Sequence, residues 1–440
     1  GSYINWEFII DTELIPDQTY SIMVNITDNM GYFYKTPQNH FITEERDPVV
    51  NLDTGETFTT IQSAIDDSNT LNGHTIYVYN GTYYEQVSIS KSITLIGEDK
   101  DTTIIDAEGT GEAVYINGDG IKIQGFTIKN TKSNYGIYLH MHCDNNIITG
   151  NNIINCSEGI HLHTHSSNNE ISNNIFEYNT FSIKFVFWAE DNIIKNNIMK
   201  NNGYGVKIIQ SDKNTIENNY CADNQNNDVS TDSSKELVIC NNQFLSNCIY
   251  GVYIDGTMGD DNNTIENNTI TNNSQPGLFL SWVDNSKINN NTIYDSKHGI
   301  YFDRCTDNTV MGNNVSENEY NGIVLYDSSR HLIFSNNFYS NYYYAINIGS
   351  GGNHEIYHNN FVNNTDPSSG TYDEQCYDMG ESDWNSTTIM EGNYWDDFDE
   401  PSEGAFDNNF DGIIDSSYNV PYYDVRNIDL YPLATPYTST

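Results

Sequence analysis

Apolar residues return along this chain in two series that keep step with each other. Gly136 marks the first; its counterparts are Gly159, Ser182, Gly205, Asp228 and Gly251, each 23 residues after the last, then Gly277, Gly299, Gly322 and Ala345. The residue after each marker is apolar: Ile137, Ile160, Ile183, Val206, Val229, Val252, Leu278, Ile300, Ile323 and Ile346. The second series is Ile148, Ile171, Ile194, Ile216, Ile239, Ile265, Ile288, Val310, Ile333 and Ile356. Between these positions run alternating segments of four to six residues, broken by Asn, Asp, Ser and Gly. Short alternation signals strands, and the breaks are turn formers. One such repeat cannot bury an apolar face alone, but stacked repeats bury a common one. The pattern therefore predicts an all-β solenoid, a parallel β-helix with 22–24 residues per coil and coils about 4.8 Å apart. A disordered Asn-rich tract would not keep so regular an apolar ladder. Asn pairs such as Asn151-Asn152, Asn173-Asn174 and Asn196-Asn197 are predicted at one corner of the coil. There Asn tolerates left-handed backbone, and its amide can hydrogen-bond along the stack.

Both ends depart from the repeat. Residues 57–67 place Phe58, Ile61, Ala64 and Ile65 as a short helix capping the core does, so the β-helix is assigned to 49–395. Residues 1–48 alternate like strands of an immunoglobulin-like sandwich but are too few for a complete one. They are predicted to be its last strands, able to pair with another copy and so to support self-assembly. Residues 396–440 are assigned to a C-terminal cap that ends in the start of a linker.

The charge narrows the function. With 61 acidic and 18 basic residues the chain carries −43, which excludes a nucleic-acid binder, since phosphate contacts need Lys and Arg stripes. An anionic membrane surface is excluded likewise. No apolar run is long enough to span a bilayer. The balance fits an exported, extracellular protein that meets divalent cations. Seven scattered cysteines without CxxC spacing argue against a structural zinc cluster and leave one or two disulfides open. Asn-x-Ser/Thr sequons occur at Asn25, Asn80, Asn155, Asn262, Asn290, Asn314 and Asn385, as chance allows in an Asn-rich chain.

The entry IQSAID…GHTIYVYNGTYYEQVSISKSITLIGEDKDTTIIDAEG, the G-I-x-L coils with NN corners, and the ending GNYWDDF…DGIIDSSYNVPYYDV…DLYPL resemble the right-handed parallel β-helix repeat proteins of the pectin-lyase-like superfamily. Within it the chain is most similar to archaeal cell-surface and NosD-like members. The resemblance spans roughly residues 55–433. It implies a right-handed helix and an extracellular or cell-surface setting; the NosD side implies copper or other transition-metal handling. Activity does not follow from the fold. The polygalacturonase NTD and RIK motifs are missing beside Asp260-Asp261 and His298-Gly299, and the pectin-esterase GFxxxDF and QAxAL are absent. An arginine base beside carboxylates, as lyases use, is matched only weakly, by Arg304 between Asp303 and Asp307.

Three groups of residues carry candidate chemistry. In GIHLHTH, alternation turns Ile160 and Leu162 inward and His161, His163 and His165 outward; His140 and His142 follow one coil below. Adjacent imidazoles could converge on Zn²⁺ or Cu²⁺, though a flat wall splays its side chains and could equally be a solvated face. Further along the same wall stand Tyr253, Phe279, Tyr301 and Tyr326 with Asp255 and Asp303. Rings and carboxylates suit a polysaccharide or cell-surface glycan. Asp255 and Asp303, two coils or about 10 Å apart, are wide for a hydrolytic pair, so Asp255, Asp303 and Arg304 are weak catalytic candidates for a lyase or glycoside hydrolase, and binding or a structural role is favoured. Lastly, Asp407, Asn409, Asp411 and Asp415 with the Ile413 carbonyl repeat the first nine positions of an EF-hand loop. Its twelfth-position Glu is replaced by Tyr418, so Asp424 is the predicted substitute. The loop predicts a structural Ca²⁺.

Overall fold

The structure, a computed structural model, describes residues 47–131, 134–256, 260–364, 374–420 and 427–438, and the strands Thr19–Ile22, Asn25–Thr27, Phe33–Lys35 and Asn39–Ile42. Each coil gives one short strand to each of three sheets, for example Ile147–Thr149, Asn152–Ile154 and Glu158–Leu162, all parallel except where Val49–Asn51 and Thr57–Phe58 start the first sheet antiparallel. The sheets hold 15, 14 and 13 strands, and parallel crossovers of this kind are right-handed. The two sequence series run down the interior in register, from Ile137 to Ile346 in the third sheet and from Ile148 to Ile356 in the first. Every member is buried. Glycine dominates the marker position because the coils approach closely there: a Cβ on Gly205 would lie 2.3 Å from the Asp228 carbonyl oxygen.

Amide ladders stand at all three corners, not only the one predicted. The longest runs from Asn151 to Asn393 between the first and second sheets. Asn174 shows its logic: Oδ1 accepts the backbone N–H and the Nδ2 of Asn151 at 3.0 and 3.1 Å, and Nδ2 donates to Ile148 O at 2.8 Å and Asn197 Oδ1 at 3.2 Å. The residue before each rung turns the chain, as Asn173, Asn196 and Asn218 do with φ of 55°. Asn173-Asn174 and Asn196-Asn197 thus each combine one left-handed residue with one inward rung, whereas in Asn151-Asn152 the rung comes first and Gly150, with φ of 67°, makes the turn.

The ends are closed. Helix α1 (Ile61–Asp66) buries Ile61, Ala64 and Ile65 over the first coils, with Thr60 accepting from the Ser63 N–H. At the far end the Asp429 carboxylate receives Asn393 N–H at 2.7 Å and Trp395 Nε1–H at 3.0 Å, so the cap finishes the long ladder with an acid. Burial pushes that carboxyl up to about 7. Of the predicted sandwich segment, two antiparallel pairs are described: Thr19–Ile22 with Asn39–Ile42, and Asn25–Thr27 with Phe33–Lys35. All seven cysteines are free and buried, so the disulfides left open by the sequence do not form; burial holds the thiols of Cys143 and Cys156 up at about 11, unreactive.

Candidate functional site

The outer face of the third sheet gathers most of the candidate residues. Its central row reads, coil by coil, Tyr115, Tyr138, His161, Lys184, Lys207, Ser230, Tyr253, Phe279, Tyr301. Beside it, Asp232, Asp255, Ser281, Asp303 and Tyr326 stand in register. Asp255 and Asp303 are two coils apart, as the spacing predicted. Sequence reasoning missed Asp232, directly below Asp255, although the 23-residue offset from Asp255 pointed to it. Burial, then the neighbouring Asp232, raises the Asp255 carboxyl above its usual range. Lys207 donates to Ser230 Oγ at 3.0 Å, and burial lowers its ammonium.

The aromatic row differs from the predicted sugar platform in one respect. Tyr253 and Phe279 stack at 5.3 Å and 4°, and Phe279 and Tyr301 at 5.3 Å and 21°. The rings cover each other's faces, so edges, the Tyr hydroxyls and the adjoining carboxylates are what the wall offers. Arg304 is already engaged: its Nη1 donates to Asp303 at 3.0 Å, and its guanidinium lies over Trp282, 5.2 Å from the ring centre.

The histidines split into two sets. His161 sits in mid-strand, 4% exposed, hydrogen-bonded through Nδ1 to Glu158, which also takes Lys184 Nζ–H at 2.8 Å. Tyr135 and Tyr138 cover its ring at 4.6 and 5.4 Å. His140 and His163 follow just past their strands and stack at 6.4 Å. His142 and His165 leave the strand altogether. With φ of 59° and 60° they belong to the turn, where His142, His165 and Trp188 stack at 5.0 and 5.2 Å. The strand alternation used to place all five on one face ends before these two. Plates stacked this way do not point at a common centre, and among the described residues no group of three or more His, Cys, Asp or Glu is placed to hold a metal ion.

The loop at 407–415 is wound around its first residue. Asp407 accepts from Asp411 N–H at 3.2 Å and Gly412 N–H at 3.0 Å, and Asn409 Oδ1 takes Asp411 N–H at 2.9 Å. Asp411 Oδ1 accepts from Ile413 N–H, and Asp415 from Asn408 N–H. Gly412 carries the φ of 87° the turn needs. The candidate ligand atoms are all oxygens, which suits a hard cation, but Asp407, Asp411 and Asp415 are not gathered as a metal-holding group among the described residues; Asp424 lies outside them.

The fold and register are those of a right-handed parallel β-helix. Residues 112–259 match the family "Right handed beta helix region", and residues 246–400 match "Periplasmic copper-binding protein (NosD)". The candidate histidines 140–165 lie outside the second segment. A cell surface glycoprotein of Methanothermus fervidus is 38% identical over 108 residues, covering 24% of this chain and 17% of that protein's length. Among solved structures, the N-terminal fragment of bacteriophage Phi29 gene product 12 is similar with a TM-score of 0.56 at 15% identity, over 69% of this chain and 64% of that one. The A-module of the Azotobacter vinelandii mannuronan C-5 epimerase AlgE6 gives 0.49 at 14%, over 73% and 94%. Among the described residues no helix is long and apolar enough to cross a membrane.

Proposed function

We propose that the chain is a cell-surface β-helix scaffold that holds polysaccharide along the outer wall of its third sheet. The observation that carries this is the register of that wall: Lys207, Asp232, Asp255, Asp303 and the Tyr253–Phe279–Tyr301 stack repeat at coil spacing on one face. Such a periodic row of hydroxyl partners suits a periodic chain better than a small substrate. The similarity to a cell surface glycoprotein supports the setting. So does the exposure of the sequon residues Asn80, Asn155, Asn262, Asn290 and Asn314, whereas Asn385 is buried. In affinity electrophoresis through polysaccharide gels, Asp255→Asn/Asp303→Asn should lose most of the retardation shown by the wild type. Equal retardation of both proteins would remove the wall from the binding surface.

A second reading, polysaccharide cleavage, draws on Asp255 standing directly above Asp232, where burial and that neighbour raise its carboxyl above the usual range, the direction a general acid needs. It requires new chain ends to form and that release to stop in Asp255→Asn.

The loop at 407–415 is proposed to take Ca²⁺ and fasten the cap over the end of the solenoid. Millimolar calcium should raise the melting temperature by a few degrees in the wild type, and Asp407→Ala should abolish the shift. A calcium-independent wild type would refute the loop's assignment. Transition-metal handling at His140, His142, His161, His163 and His165 would need these stacked rings to rearrange.

A further inference from the structure

The corner between the second and third sheets carries a groove that the function above does not use. Its rim repeats once per coil through Asn272, Asp295, Glu317 and Ser340, all left-handed with φ of 61°, 49°, 55° and 51°. Two hollows share Glu317 and Glu319 in their walls. One, of about 520 Å³, opens toward Tyr320, Tyr342 and Tyr343; the other, of about 420 Å³, toward Asn272, Ser274 and Asp295.

The tyrosines here differ from those on the wall. Tyr320 and Tyr343 stack at 5.2 Å and 7°, while Tyr342 meets Tyr343 edge-on at 5.3 Å and 71°. Tyr342 is 49% exposed, and among the described residues no ring lies parallel to its own. Asp295, Glu317 and Glu319 are exposed, and among the described residues their carboxylates have no hydrogen-bond donor or salt-bridge partner. An open aromatic face beside free acceptors, in a concave run several coils long, is what a sugar chain requires: the ring takes the apolar face of a pyranose, and the carboxylates take its hydroxyls.

We infer that this groove binds a neutral glycan, with Tyr342 as the stacking platform and Glu317 and Glu319 as hydroxyl acceptors. The inference rests on the carbohydrate-binding reading and adds a separate site and a ligand class. Charge selects the class. Three unpaired carboxylates on a chain of net charge −43 repel uronates and sulfated sugars, whereas hexoses and N-acetylhexosamines bring no opposing charge. Two sources share this chemistry: a separate surface glycan, or a sugar carried by the chain itself, since Asn272-Asn273-Ser274 is a sequon on the groove's own rim.

The test is calorimetric titration of the full, unglycosylated chain with neutral hexose and N-acetylhexosamine tetrasaccharides and with a tetrauronate. A neutral tetrasaccharide should bind and the tetrauronate should not. Tyr342→Ala should weaken binding at least tenfold, Tyr342→Phe should keep most of it, and Glu319→Gln should weaken it several-fold. Binding that survives Tyr342→Ala, or uronate binding equal to neutral, overturns the groove while the wall can still stand on its polysaccharide retardation. No tetrasaccharide binding overturns the groove, and loss of retardation as well overturns the carbohydrate reading with it. In glycosylated protein, tetrasaccharide binding that returns only with Asn272→Gln would support the groove with the chain's own sugar as occupant; binding without that change would support it with a separate glycan.

Discussion

Asn291→Leu should lower the unfolding free energy by roughly 4 kcal/mol, although leucine fills a similar volume and the site is buried. Asn291 is 1% exposed. Its Oδ1 accepts both the backbone N–H and the Nδ2 of Asn268 at 3.0 Å, and its Nδ2 donates to Ile265 O at 2.9 Å and Asn313 Oδ1 at 3.0 Å. Leucine leaves two buried donors and one carbonyl without partners, at about 1–3 kcal/mol each. The apolar surface gained offsets part of this. Because each coil contacts only its neighbours, the damage should centre on the coils around residues 268 and 313. Equilibrium denaturation gives the total, and hydrogen exchange its location. A loss below about 1 kcal/mol would mean that the ladder is replaceable packing. Loss of protection spread evenly over all coils would contradict the nearest-neighbour picture.

The second large effect concerns two histidines that stand where the ladder before the first sheet would have Asn. His331 Nδ1 accepts the Asn308 N–H and His354 Nδ1 the His331 N–H, both at 3.1 Å. Accepting there requires the neutral tautomer with its proton on Nε2. Both residues are fully buried, stacked at 5.1 Å, with Phe302 against His331 at 4.8 Å. Burial holds His354 down to about 4 and His331 well below the usual imidazole range; the second ring and Arg330 add to the latter. The unfolded chain therefore takes up these protons first. Their contribution is whole above about pH 6.5 and is lost as pH falls toward 4, by about 3 kcal/mol for His354 alone. Asp228 and Asp429 act in the opposite sense. Burial raises both to about 7, so their contributions fall as pH rises from about 4. The wild-type curve alone is thus flattened, and the informative quantity is its difference from His331→Asn/His354→Asn. The double variant should gain on the wild type as pH drops from 7 to 4. A difference independent of pH would show that the imidazoles do not hold these neutral Nδ1 acceptor positions.

The sequence by itself determined the solenoid. Coil length, the two interior series and the paired asparagines were all legible, because each coil meets the same interior and must solve the same packing and turn problem. Residues facing the core therefore repeat, and the repeat can be counted; the marker row resolved even Asp228 to its correct coil. The same offset would have found Asp232. What only the tertiary structure decided lies where that constraint stops. His142 and His165 leave the strand for a left-handed turn, so alternation past Leu162 no longer reports direction. Whether Tyr253, Phe279 and Tyr301 offer faces or edges depends on side-chain rotation against neighbours one coil away, which a row of letters does not encode. The groove joins Asn272 to Tyr343 across several coils through corner residues. These point to solvent, repeat loosely, and become a site only when the coils are stacked.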